Sequence, residues 1–106
     1  MRYTAVDSAS FAKHASACAP LLDAWAYVNG SISATFRVRS FAHAGEFAAQ
    51  IAQAADDMDH HPDIDIRFPA DVRVALTTHA TGGVSEHDVR LAEFVSSLAT
   101  RYAQEP

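Results

Sequence analysis

A change of hydrophobic periodicity in the middle of the chain constrains the fold more than any other feature. In residues 31–39 (SISATFRVR) apolar side chains occupy every second position, which is typical of a strand with one buried face. From Ser40, a good helix N-cap, the apolar spacing changes to three and four residues. The apolar positions of this second pattern are Ala44, Phe47, Ala48, Ile51, Ala55 and Met58. The sequence therefore predicts a half-buried strand followed directly by a helix that runs to about residue 59.

Shorter patterns predict the remaining elements. Residues 8 to about 28 have helical spacing after Asp7 or Ser8, and Pro20 should kink this helix or start a new segment. The VNGS sequence at 28–31 favours a turn. Alternating residues predict strands at 64–68 and 72–76.

A last helix is predicted to begin after Ser85. Asp88 stands at its third position, as a short variant of the capping box. The resulting order of elements is helix, strand or hairpin, helix, strands and helix. This order predicts an α+β fold of two layers, in which an antiparallel sheet of about four strands has helices packed on one face.

Composition limits the classes of function. The 106 residues fit one domain, 1–106, and a core of this size favours self-association. A net charge of −5 is a poor match to nucleic acid, which attracts clustered Lys and Arg. No segment reads as a signal peptide or a membrane span. Cys18 is the one cysteine, so no intrachain disulfide can form and a cytoplasmic location is expected.

The stretch ADDMDHHPDIDIRF, residues 55–68, is the main candidate site. His60 and His61 follow the long helix, and Pro62 disfavours helical backbone at His61, so the two rings should point in different directions. Asp56 lies four residues before His60, where its carboxylate can orient that imidazole. The same residues also fit a helix end with solvating aspartates, and this stretch alone does not separate the two interpretations.

His79 ends the strand VRVALTTH just before a glycine loop, a place where functional residues gather. The alternation does not decide which side of the sheet it faces. The isolated histidines His14, His43 and His87 are interpreted as surface residues. Adjacent histidines are awkward ligands for one ion, and neither HxH nor HExxH spacing occurs, so no metal site is predicted.

Over about residues 21–99 the chain resembles the pterin-4a-carbinolamine dehydratases. The shared pattern is an acidic residue, His-His-Pro, an aromatic residue, a later Thr-His, and an aspartate that opens the last helix. In this chain the pattern falls on Asp56, His60, His61, Pro62, Phe68, Thr78, His79 and Asp88. Position 56 holds aspartate where the family usually has glutamate. Ten residues separate Phe68 from His79 where the family usually has nine, which predicts either a longer turn or a strand bulge.

The resemblance implies a hydro-lyase that removes water from a 4a-hydroxy-tetrahydropterin and gives the quinonoid dihydropterin, as part of pterin recycling. It implies no metal, no organic cofactor, and a homodimer or homotetramer. The alternative is a non-enzymatic interaction or dimerisation-cofactor module on the same fold. The resemblance implies that His60, His61 and His79 are the acid/base set. It implies that Asp59, Thr77 and Thr78 contact the substrate. Asp56, which would orient His60, and Asp88 are the implied supporting residues, unless Asp88 only caps its helix.

Overall fold

The computed structural model describes residues 3–18 and 21–103. Pro20, where the sequence predicts a kink or a new segment, lies outside these residues. The elements in chain order are α1 (Ser8–Ala17), β1 (Ala26–Val28), β2 (Ser31–Arg37), α2 (Phe41–Met58), β3 (Asp63–Arg67), β4 (Asp71–Leu76), a single 3₁₀ turn (His79–Thr81) and α3 (Glu86–Ala99).

The first helix is shorter than its apolar spacing predicts. α1 ends at Ala17, and residues 26–28 form strand β1 where the sequence predicts the end of a helix. The reason is the turn that follows, in which Asn29 and Gly30 have φ values of 50° and 76°. Two successive left-handed residues make the tight turn that joins antiparallel strands, so Ala26–Val28 pairs with β2. The turn predicted at VNGS is therefore confirmed, and its hairpin overrides the helical spacing before it.

The four strands form one antiparallel sheet in the order β1-β2-β4-β3. Tyr27 of β1 is paired with the buried Ile32 of β2, so both side chains lie on the same face of the sheet. Phe11 of α1 packs against Tyr27 on that face, with ring centroids 5.9 Å apart. Helix α2 contacts β3, β4 and α3. All three helices thus cover one face, and the predicted α+β class is confirmed.

The core lies between this sheet face and the helices. Phe47 of α2 is fully buried, edge-on to Phe36 at 5.7 Å and stacked on Tyr102 at 5.5 Å between ring centroids. The stripe predicted for α2 supplies the helix side of the core, and Ser40 caps the helix by accepting from the His43 amide at 3.1 Å. Among the other fully buried side chains are Ile32, Ile51, Val72, Val74, Leu76, Leu91 and Val95.

The opposite face of the sheet is polar. Arg37 of β2 forms an ion pair with Asp71 of β4, and the hydrogen bond from Arg37 holds the pKa of Asp71 below its usual value. Arg73 and Asp65 form a second cross-strand pair at 3.8 Å. Within the described residues, no helix is both long enough and apolar enough to cross a membrane.

The extra residue before His79 is accommodated in the turn between β3 and β4. Residues 68–70 form this turn, with a cis peptide bond at Phe68-Pro69. The strands pair without interruption from Arg67 and Asp71 to Asp63 and Ala75. The longer-turn alternative is therefore correct and the bulge alternative is wrong. Because the turn lies at the far end of β4, it does not change how that strand leads to His79.

Shortening Ile51 should show how much the contact between α2 and the sheet stabilises the fold. Ile51 is fully buried, so Ile51→Val should lower the free energy of unfolding by about 0.5–1.5 kcal/mol and Ile51→Ala by about 2–5 kcal/mol. Gln53→Ala, on the exposed side of the same helix, should change it by less than about 0.5 kcal/mol. Urea denaturation measures all three. Equal losses in Ile51→Ala and Gln53→Ala would contradict the assigned core.

Candidate functional site

The candidate site is built where α2 ends. Asp59 adopts the left-handed conformation, with φ 51° and ψ 45°, and its amide donates to the carbonyls of Ala55 and Asp56. The His60 amide reaches back to the carbonyl of Ala55 at 2.9 Å. These contacts form a Schellman-type helix end, which satisfies the last carbonyls and turns the chain sharply. The turn directs His60 inward and leaves His61 outside.

His60 is anchored by a buried carboxylate. Its side chain is 7% exposed, and its Nε2 is hydrogen-bonded to Oδ1 of Asp88, which is fully buried. The other oxygen of Asp88 accepts from the hydroxyl of Thr78 at 2.7 Å and from the amide of Ser85 at 2.9 Å. A charge buried this deeply is costly unless its acceptor sites are filled. These three contacts occupy three of its roughly four acceptor sites and leave neither oxygen without a partner.

The direction of each hydrogen bond follows from the number of protons available. Thr78 has one hydroxyl proton, which it gives to Asp88, so it accepts from the Ser85 hydroxyl at 2.7 Å. With Asp88 as a carboxylate, which only accepts, His60 is the donor in this contact, through a proton on Nε2. Nδ1 is then the ring nitrogen of His60 through which a proton can be exchanged.

Asp88 caps its helix and also contacts a candidate site residue. It forms the predicted capping box with Ser85 at the start of α3. It also joins the helix start to His60, 28 residues earlier in the chain. The helix cap therefore places the carboxylate, and the carboxylate fixes the imidazole.

The predicted contact between Asp56 and His60 is wrong. Asp56 is paired instead with His61, whose Nε2 lies 2.9 Å from Oδ1 of the carboxylate. A four-residue spacing brings side chains together only while the helix continues. The left-handed Asp59 ends the helix, so His61 rather than His60 lies beside Asp56. The prediction that the two adjacent rings diverge is confirmed, because His61 is 60% exposed.

A pocket of about 250 Å³ collects most of the candidate residues. His79 stands on its rim, exposed, at the start of the 3₁₀ turn. Thr77 donates its hydroxyl proton to the carbonyl of Gly30 at 2.8 Å, which ties the pocket to the β1–β2 turn. Asp88 lies behind His60 and Asp56 lies outside, beside His61. The lining residues are Tyr3, Asp59, His60, His61, Thr77, Thr78, His79 and Ala80.

The sequence did not identify two aromatic neighbours of this pocket. Tyr3 lines it, and the Tyr3 ring lies 4.8 Å from that of His87 and 6.4 Å from that of His60. The rings of His60 and His87 are 5.8 Å apart. His87, interpreted from sequence as a surface residue, is half-buried. The available signal was its position next to Asp88, but nothing in the sequence connected it to the first residues.

A larger groove, of about 420 Å³, lies elsewhere, between α2 and α3. It contains no histidine, and residues such as Ala54, Met58 and Phe94 line it. Its one ionisable group is the carboxylate of Asp57, whereas three imidazoles meet in the smaller pocket, which is therefore the candidate site. Within residues 3–18 and 21–103, no three His, Cys, Asp or Glu side chains are grouped in a way that could hold a metal ion.

Comparison with known proteins gives consistent results. Residues 7–98 match the family model described as pterin 4 alpha carbinolamine dehydratase. A Herpetosiphon aurantiacus protein, provisionally named pterin-4-alpha-carbinolamine dehydratase, is 43% identical over 74 residues, which is 70% of this chain and 76% of that protein.

Two solved structures are similar. One is a transcriptional coactivator/pterin dehydratase from Brucella melitensis, with a TM-score of 0.77, 29% identity, and coverage of 89% of this chain and 97% of that one. The other is a pterin dehydratase-like protein identified as a RuBisCO assembly factor in the alpha-carboxysome. It has a TM-score of 0.57, 21% identity, and coverage of 71% of this chain and 86% of that one. This second likeness concerns the fold alone.

Substitution of Asp59 should separate its backbone conformation from its carboxylate. Asp59→Gly should keep or raise the free energy of unfolding, because glycine adopts the left-handed conformation at no steric cost. Asp59→Ala should have a free energy of unfolding about 1–2 kcal/mol below that of Asp59→Gly, because its Cβ is strained in this conformation. Urea denaturation of both variants tests this, and equal stability of the two would show that the left-handed helix end is unimportant.

Proposed function

The chain belongs to the pterin-4-alpha-carbinolamine dehydratase family, and from this premise we propose that it removes water from a 4a-hydroxy-tetrahydropterin to give the quinonoid dihydropterin. The observation that carries the proposal is one pocket lined by His60, His61 and His79, with the first of these anchored on a buried carboxylate. In the coupled system that the proposal implies, an oxygenase supplies the hydroxylated pterin and a reductase consumes the product.

The reaction needs one proton delivered and one removed. The bond between C4a and its hydroxyl oxygen breaks, and protonation lets that oxygen leave as water. The lone pair of N5 forms the new C4a–N5 double bond, and a base takes the proton from N5. Imidazole can do both near neutral pH, and each such transfer is worth about 10²–10⁴-fold in rate. The balance requires no metal and no organic cofactor.

The proposed acid/base set is His60, His61 and His79. The imidazoles of His61 and His79 are exposed at the pocket, so they can meet a substrate that arrives from solvent. Asp56, beside His61, is proposed to orient that ring. His60 is less mobile, because Asp88 holds its Nε2, and it would act through Nδ1.

The proposed substrate contacts are Asp59, Thr77 and Thr78. The two threonine hydroxyls already donate, to the Gly30 carbonyl and to Asp88 respectively. They can therefore only accept from a ligand. With the carboxylate of Asp59, these groups suit the N–H groups on the edge of a pterin ring. A pterin thus brings the hydrogen-bond donors, and the pocket supplies mainly acceptors.

A second candidate function is a non-enzymatic interaction module. It is favoured by the similar Brucella melitensis structure, whose name describes a transcriptional coactivator as well as a pterin dehydratase. An interaction module needs neither three imidazoles in one pocket nor a buried carboxylate that holds one of them. For this reason we propose the enzyme first. The chain has a single cysteine and so forms no intrachain disulfide, which supports a cytoplasmic location for the proposed enzyme.

The proposal includes self-association as a homodimer or homotetramer. Large apolar side chains remain on the surface of the chain, among them Phe68, 88% exposed, and Phe41, 58% exposed. Burying such residues between copies would compensate for a small core. Sedimentation equilibrium at micromolar concentration should give a mass of two or four chains. A mass of one chain would contradict this part of the proposal.

The enzymatic proposal predicts turnover without added metal. The purified chain should accelerate dehydration of a 4a-hydroxy-tetrahydropterin, and the rate should survive EDTA. His61→Ala and His79→Ala should each lower kcat by about 10²-fold or more, since removing an acid or base costs on that scale. Stopped-flow absorbance of the product measures the rate.

A matched control is available on the same molecule. His43→Ala removes a histidine at the other end of α2, where it contacts Ser40, and it should leave kcat unchanged. Wild-type kcat in folded His61→Ala or His79→Ala would remove that residue from the acid/base set. No acceleration by the wild-type chain, or activity that EDTA abolishes and zinc restores, would overturn the mechanism.

A further inference from the structure

The structure points to a substrate-binding role for the start of the chain. We propose that Tyr3 forms an aromatic wall against which the flat pyrimidine half of a pterin packs, and that His87 is a positioning residue that holds the Tyr3 ring in place. The inference rests on the proposed function, because it takes a pterin as the ligand. It assigns a role to two residues that lie outside the motif shared with the family.

Backbone hydrogen bonds fix the segment that carries Tyr3. The carbonyl of Thr4 accepts from the amide of Glu86 at 2.9 Å, and the amide of Val6 donates to the carbonyl of Val84 at 2.8 Å. Ala5 and Ser85 form the antiparallel bridge between these bonds. The segment therefore runs alongside the chain that leads into α3, the helix that carries Asp88. The start of α3 therefore holds Tyr3 at the pocket through the backbone and anchors His60 through Asp88.

His87 supports the Tyr3 ring from the side. It lies one residue before Asp88, so its position is fixed by the capped helix start. Its ring centroid is 4.8 Å from that of Tyr3 with an interplanar angle of 57°, which lies within the range of favourable tilted aromatic pairs. The ring of His60 is farther from Tyr3, at 6.4 Å. The closer pair is thus His87 and Tyr3, and loss of the His87 ring would release Tyr3.

Tyr3 supplies the large apolar surface that the other lining side chains of the pocket lack. Apart from Tyr3, its lining side chains are those of histidine, threonine, aspartate and alanine, which suit the polar edge of a ligand. A pterin also has apolar ring faces that must leave water on binding. Tyr3 has the largest apolar surface among the lining residues, and a stacked aromatic contact stabilises the complex beyond the burial itself.

The test compares variants that remove or keep the ring of Tyr3. Titration calorimetry with 6-methyl-7,8-dihydropterin should give a Kd for Tyr3→Leu about three- to tenfold above wild type, and a Kd for Tyr3→Phe within twofold of it. In turnover, KM should rise in Tyr3→Leu while kcat stays within about twofold, because the wall binds the ring and transfers no proton. Phe94→Leu is the control, an aromatic on α3 that lines the groove between α2 and α3 and not the histidine pocket.

Substitutions of His87 test its positioning role separately. His87→Gln should raise the Kd in the same direction as Tyr3→Leu, and His87→Phe, which keeps a ring beside Tyr3, should restore it towards wild type. If Tyr3→Leu does not fold, this pair carries the test alone. A wild-type chain that does not bind the dihydropterin refutes the proposed function itself. Wild-type binding that is unchanged in folded Tyr3→Leu, or in folded His87→Gln if Tyr3→Leu does not fold, refutes only the aromatic wall.

Discussion

The arrangement of the site depends on one buried carboxylate. Asp88 has no exposed surface, yet it accepts hydrogen bonds from the Ser85 amide, the Thr78 hydroxyl and His60. These partners come from the loop before α3, the end of the segment after β4, and the end of α2. The cost of burying an unpaired charge obliges the three parts to meet in one way. A single electrostatic requirement thus sets both the packing of the helix ends and the orientation of an imidazole.

The elements with strong periodicity could be read from the sequence. The stripe of α2, the alternation of β2 and β4, and the Ser85 capping box were all predicted, because each depends on residues close together in the chain. The end of the first helix could not be predicted in the same way. Residues 26–28 have a spacing that fits a helix, but the Asn29-Gly30 turn commits them to pair with β2. The pairing of residues 26–28 with β2 thus outweighed the helical spacing of their side chains.

The sequence indicated which candidate residues would lie together, but not how they would pair. His60, His61, His79, Thr77 and Thr78 do line one pocket, as the resemblance implied. The partner of each imidazole depended on a left-handed residue at position 59, which sequence spacing does not reveal. Because Asp59 ends the helix, Asp56 pairs with His61 and not with His60 as expected, and His60 pairs with Asp88. Tyr3 was missed for a different reason, since its contact with His87 spans most of the chain.

The longer turn at residues 68–70 has a practical consequence. It lies at one end of β4, and the six residues of that strand separate it from the pocket by roughly 20 Å. The neighbouring pairs remain in register despite the added residue, so the hairpin tip accommodates a change of length without passing it on to the histidines. This tip is therefore a suitable attachment point for a small spectroscopic label, which would also report whether Phe68 becomes buried between associating copies. A reporter placed there would leave the chemistry at the other end of the strand undisturbed.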